Sequence, residues 1–148
     1  MSLYEKIQDS VQQALKARDS DSVRTLRTIL AKLKEAIIAK GENLSEQEEL
    51  NVLQTAAKQR KEAIALFRKG GRDDLVRAES KELSIIESYL PKQLSQEELV
   101  TRVDAVIRET GATTLKDIGK VMPVIMSQVA GRADGKMVQQ LVREKLGE

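Results

Sequence analysis

The sequence predicts an all-α protein, and three observations carry that prediction. Its apolar residues are mostly Leu, Ile, Val and Ala and recur at three- and four-residue intervals. Ser-x-x-Glu capping boxes stand ahead of several of these runs. No segment alternates apolar and polar residues over the length of a strand. A charged fraction of 32% beside a hydrophobic fraction of 41% suits helices that each cover one face.

The elements follow in order. Ser2-Leu3-Tyr4-Glu5 is a capping box opening a helix with Leu3, Ile7, Val11, Ala14 and Leu15 on one side. The run Asp19-Ser20-Asp21-Ser22 supplies N-caps for a second helix through Val23, Leu26, Ile29, Leu30, Leu33 and Ile37, which Gly41 ends. Ser45-Glu46-Gln47-Glu48 opens a long third helix through Leu50, Leu53, Ala57, Ile64 and Phe67, stopped by Gly70-Gly71. Asp73 and Asp74 suit the positive end of a fourth helix, carrying Leu75, Val76, Leu83, Ile86 and Leu90 up to Pro91.

Beyond Pro91 the pattern restarts. Ser95-Gln96-Glu97-Glu98 caps a helix with Leu99, Val103, Val106 and Ile107, and Gly111 ends it. Thr114-Leu115-Lys116-Asp117 begins the next, with Ile118, Val121, Met122, Ile125 and Val129; Pro123 inside it is expected to weaken or kink it. After the turn Gly131-Arg132-Ala133-Asp134-Gly135, Asp134 caps a last helix through Met137, Val138, Leu141, Val142 and Leu146. The expected organisation is a four-helix subdomain over 1–91 and a three-helix subdomain over 92–148, joined near Pro91.

Composition excludes much chemistry. With no Cys there is no thiolate nucleophile, disulfide, zinc knuckle or iron–sulfur site, and with no His there is no imidazole base or ligand. Lys and Arg number 25 against 23 Asp and Glu, a net charge of +2, so a polyanion site must be a local patch. Residues 1–40 hold eight basic and five acidic side chains, residues 41–90 eight and ten, and residues 91–148 nine and eight. No stretch approaches the roughly 20 apolar residues of a membrane span, which leads to the expectation of a soluble cytoplasmic protein.

Four features are candidates for function. Arg24, Arg27 and Lys34 flank the apolar face of the second helix, as a phosphate-facing stripe or as a solvated edge whose stems cover the core. Arg60 interrupts the apolar seam of the third helix; it needs a carboxylate such as Glu79 or Glu82, although Lys58, Arg60 and Lys61 also admit an anion site. The turn from Gly131 to Lys136 offers free amides, Arg132 and Lys136 to an anion, with Lys116 and Lys120 as further cations; a well-capped helix–helix turn explains it equally. Met122, Met126 and Met137 read as core fillers.

That turn is no Walker loop, being one residue short, lacking the Ser or Thr after Lys136 and having no preceding strand. Asp19-Ser20-Asp21 likewise lacks the glycine and glutamate of an EF-hand loop. Two Tyr and one Phe make no platform for stacking single-stranded bases, so any nucleic acid bound would be read by shape and backbone.

The segments Lys58-Gln59-Arg60-Lys61, Gly71-Arg72-Asp73-Asp74-Leu75, Tyr89-Leu90-Pro91-Lys92-Gln93-Leu94-Ser95, Asp117-Ile118-Gly119-Lys120-Val121-Met122 and Gly131-Arg132-Ala133-Asp134-Gly135 together resemble the YqeY-type proteins. The resemblance covers essentially the whole chain. It implies a small bacterial protein related to the C-terminal helical and tail region of GatB, the B subunit of the tRNA-dependent aspartyl/glutamyl amidotransferase. A similar module is appended to some glutaminyl-tRNA synthetases. It further implies two helical subdomains and a role in holding the outer corner of tRNA, with catalytic and metal-binding parts in another domain. The expectation is therefore a non-catalytic tRNA-binding accessory without cofactor or metal. Arg132, Lys136, Lys116 and Lys120 are its first contacts, and Arg24, Arg27 and Lys34 a secondary patch. The rival expectation is a helical adaptor docking on a synthetase, an amidotransferase or another protein. Neither membrane nor DNA is an expected partner.

Overall fold

The computed structural model describes residues 1–147, which form seven α-helices and one 3-10 turn and contain no strand. The helices are α1 (Leu3–Lys16), α2 (Ser20–Lys40), α3 (Glu46–Lys69), α4 (Asp73–Glu87), α5 (Gln96–Thr110), α6 (Ile118–Gln128) and α7 (Gly135–Lys145), with the 3-10 turn at Leu115–Asp117. No helix is long and apolar enough to cross a membrane among these residues. Internal packing divides the chain into two compact units, Met1–Pro91 and Lys92–Glu148.

Local chemistry sets the helix ends. Ser2, Ser45 and Ser95 each accept from the amide three residues on, while Glu5, Glu48 and Glu98 reach back to the cap amide. Glu48 is additionally held by Lys40 at 2.5 Å, and this lysine together with the Ser45 cap lowers its carboxyl from 4.5 to about 2. Gly41 and Gly111 close α2 and α5 in the left-handed region at φ 82° and 69°, which a glycine enters without a Cβ clash. α4 ends at Glu87, and Tyr89 and Leu90 continue as a turn packed on the first unit's core.

In the first unit α1 packs mainly on α2 and α3 on α4. Ile7, Val11, Leu26, Ile29, Leu33, Leu53, Ala56, Ala57 and Ile86 form its core. Two charges lie on the seam of α3. Glu49, 5% exposed, accepts from the amides of Tyr4 at 2.9 Å and Leu3 at 3.3 Å, so a side chain from α3 caps the start of α1. Arg60 meets Glu82 at 2.9 Å and Glu79 at 3.5 Å, the carboxylate partnership its position requires. Its Nε makes these contacts without hydrogen-bond alignment, as does the buried Glu79 Oε2.

The second unit centres on Leu99, Val103, Val106, Val121, Ile125, Val129, Val138 and Val142. Pro123 does not interrupt α6. The bond it forfeits is the one to the Gly119 carbonyl, in the exposed first turn where water can replace it. Met122 and Met126 pack against this core, whereas Met137 is 45% exposed and fills no gap. Leu15, 43% exposed, is likewise outside the first unit's core.

Candidate nucleic-acid interface

The turn between α6 and α7 is built as a clamp. Gly131 is buried at φ 72°, a conformation that a side chain would strain, and its carbonyl accepts from Gln93 Nε2 at 2.7 Å. Leu94 donates its amide to the Arg132 carbonyl at 2.9 Å, and Arg132 Nε donates to the Lys92 carbonyl at 3.0 Å. These bonds tie residues 92–94 to the turn. The Arg132 guanidinium is thus committed through Nε to the fold, leaving its terminal nitrogens as the part that can face a ligand.

The start of α7 is occupied by its own cap. Asp134 accepts from the Lys136 amide at 3.2 Å, placing a carboxylate where the sequence also admitted an anion. Lys136 is exposed and heads a surface strip with Gln140 and Arg143 at intervals of four and three residues, opposite the buried Val138, Leu141 and Val142. With Gln139 and Glu144 these residues line a shallow depression of about 490 Å³. Gln140 lies 3.4 Å from Glu144. Gln139, Gln140 and Arg143 were not among the sequence candidates, although their helical spacing from Lys136 and their position opposite the apolar stripe signal them.

Lys116 and Lys120 are exposed at the other end of α6. A Cβ built on Gly135 would lie 3.5 Å from Met126 Cε, so α7 begins beside the end of α6. Lys120 lies six residues earlier, about 9 Å along the axis at 1.5 Å per residue. The four leading cations are therefore divided between the two ends of α6, Lys116 and Lys120 at its start and Arg132 and Lys136 beyond its end, and not gathered at one phosphate-sized spot. Lys120 lies 3.8 Å from Asp117, whose carboxyl accepts from the Thr113 and Thr114 amides and is held below its ordinary value by them.

The stripe on α2 is also divided. Arg24 meets Asp21 at 3.0 Å and lies 3.8 Å from Glu82, and Arg27 is exposed. Lys34 is exposed seven residues beyond Arg27, about 10 Å along the helix.

A family model described as Yqey-like protein matches residues 4–146. The chain is 32% identical over 110 residues to Altered inheritance of mitochondria protein 41, mitochondrial, of Eremothecium gossypii, covering 72% of this chain and 60% of that protein. It is 33% identical over 135 residues to the protein of the same name from Kluyveromyces lactis, covering 88% and 68% of the two chains. The namesake of Pyrenophora tritici-repentis is 24% identical over 150 residues, covering 96% and 80%. These names overturn the cytoplasmic expectation, and their eukaryotic sources depart from the bacterial setting that the resemblance implied. Lack of an apolar run bears on membrane spanning and carries no information about compartment.

Proposed function

The chain belongs to the Yqey-like protein family, and from that premise we propose that it is a non-catalytic accessory module that binds tRNA by shape and phosphate backbone. Its setting is aminoacyl-tRNA formation or transamidation, the setting that the resemblance to YqeY-type proteins implies through that family's relation to the tail region of GatB. The observation that carries the reading is the surface strip on α7 formed by exposed Lys136 and Gln140 and half-buried Arg143. Lysine and arginine one helical turn or more apart suit successive phosphates, and glutamines between them suit sugar hydroxyls and phosphate oxygens.

Lys116 and Lys120 extend the same interface along α6, and Arg132 supports it by holding residues 92–94 in place. With two Tyr and one Phe in the whole chain, base stacking has no part in the reading. Any amidotransferase chemistry belongs to the related multidomain enzyme, and the reading assigns no reaction, cofactor or metal to this chain.

The test is charge reversal at the strip. Lys136→Glu with Arg143→Glu should lower affinity for total tRNA about tenfold or more at low salt and shorten the salt dependence by about two phosphate contacts. Circular dichroism checks that the helices persist. Unchanged tRNA affinity in a folded double variant would remove the strip from the interface.

A further inference from the structure

A second surface lies on the first unit, between the end of α1 and the first turns of α2. An open groove of about 620 Å³ is floored by Ala14, Leu15 and Val23 and bordered by Arg18, Arg24 and Arg27. Its volume falls in the roughly 300–1,000 Å³ range of ligand sites. Leu15 leaves 43% of its surface exposed there, although it stands at a core-facing position of α1.

The border is electrostatically incomplete. Arg24 is paired with Asp21, whereas Arg18 and Arg27 have no ion-pair partner among the described residues. Among the described residues no Asp or Glu lines the groove. Arg18 also adopts φ 55°, where glycine is the unstrained residue. The turn is closed by Arg18 N to the Leu15 carbonyl at 3.1 Å and Asp19 N to the Ala14 carbonyl at 3.0 Å. These bonds use only backbone, so the fold does not call on the arginine side chain.

We propose that this groove docks an acidic, apolar peptide segment of a partner protein: an apolar side chain enters over Leu15 and Val23, and flanking carboxylates pair with Arg18 and Arg27. Guanidinium groups bind carboxylates in bidentate fashion, and desolvation by the apolar floor strengthens such pairs. The two arginines without an ion-pair partner border the groove from different segments, Arg18 after α1 and Arg27 on α2, and this matches two separate acidic residues better than a single anionic head group. A phosphate backbone would leave the apolar floor unused. The surface is separate from the α7 strip and its role is independent of tRNA binding.

Selection of a phage-displayed library of 12-residue peptides on the intact chain tests the proposal, with affinities of the selected peptides read by fluorescence anisotropy. Sequences with Leu, Ile or Phe flanked by Asp or Glu should be enriched. Their affinity should fall at least tenfold with Arg27→Glu and stay within twofold with Lys136→Glu. Arg18→Gly should weaken peptide binding while raising thermal stability, a pairing that a merely structural arginine does not produce. No enrichment, enrichment of basic or uncharged sequences, or binding indifferent to Arg18→Gly and Arg27→Glu would overturn the proposal. So would tRNA binding, and no peptide binding, that is lost in those two variants, since the groove would then belong to RNA.

Discussion

Glu49→Ala should be the most damaging single change among the charged residues of the first unit. The carboxylate is 5% exposed and accepts from the Tyr4 amide at 2.9 Å and the Leu3 amide at 3.3 Å. The Ser2 hydroxyl accepts from the Glu5 amide and the Glu5 carboxylate accepts from the Ser2 amide, so Glu49 completes the set of four donors that a helix start leaves open. A hydrogen bond to a charged group contributes about 1.5–3 kcal/mol. The short bond counts near the upper value and the long one near the lower, but Leu3 and Tyr4 are only half-buried and their freed amides regain some water. The net loss is about 3 kcal/mol. Glu49→Gln keeps one acceptor oxygen and should lose about half of that. For a unit of this size, each kcal/mol shifts Tm by about 4–8 °C, so the alanine variant should melt at least about 12 °C lower. Urea unfolding followed by far-UV circular dichroism gives the free energies directly. A loss below about 1 kcal/mol for alanine would refute the capping argument.

Three further outcomes follow from the same geometry. Arg60→Ala leaves Glu79 and Glu82 facing each other and should cost about 2–3 kcal/mol, whereas Arg60→Met with Glu82→Leu should recover most of it; chemical denaturation of the single and double variants measures both. Thr25 is 1% exposed with an unbonded hydroxyl, so Thr25→Val should be neutral or stabilise by about 1 kcal/mol in the same assay. Glu48 should titrate near pH 2 by NMR, because Lys40 and the Ser45 cap favour its charged form. A depressed carboxyl contributes stability above its unfolded value near 4.5 and loses it as pH falls toward 2, so Lys40→Ala should raise the midpoint and move the acid loss upward.

Helix starts were legible because capping chemistry is local: Ser2, Ser45 and Ser95 find their partners three residues away. The stops at Gly41 and Gly111 were legible for the same reason, since a left-handed closing residue depends on its own helix. Arg60 announced itself as a charge on an apolar seam. Glu49 carries the same signal, seven and eleven residues before Ala56 and Arg60, but the amides that donate to it lie on α1 and no local pattern points to them. Arg132 reads as a free cation until the Lys92 carbonyl, forty residues away, is brought to it. Periodicity placed Leu15 and Met137 on apolar faces, yet it could not tell which part of a face a neighbour covers; both remain open to solvent. Pro123 read as a defect because the sequence could not place it in an exposed first turn and a half of α6, where the lost bond is replaceable.

The most direct test of the central reading is titration of the intact chain with total tRNA at several salt concentrations, with duplex DNA of similar length as control. The account predicts preferential binding to tRNA, weakening with salt along a slope of about 0.7–0.9 per phosphate contacted. Absence of binding at low salt, or equal binding to both nucleic acids, would contradict it.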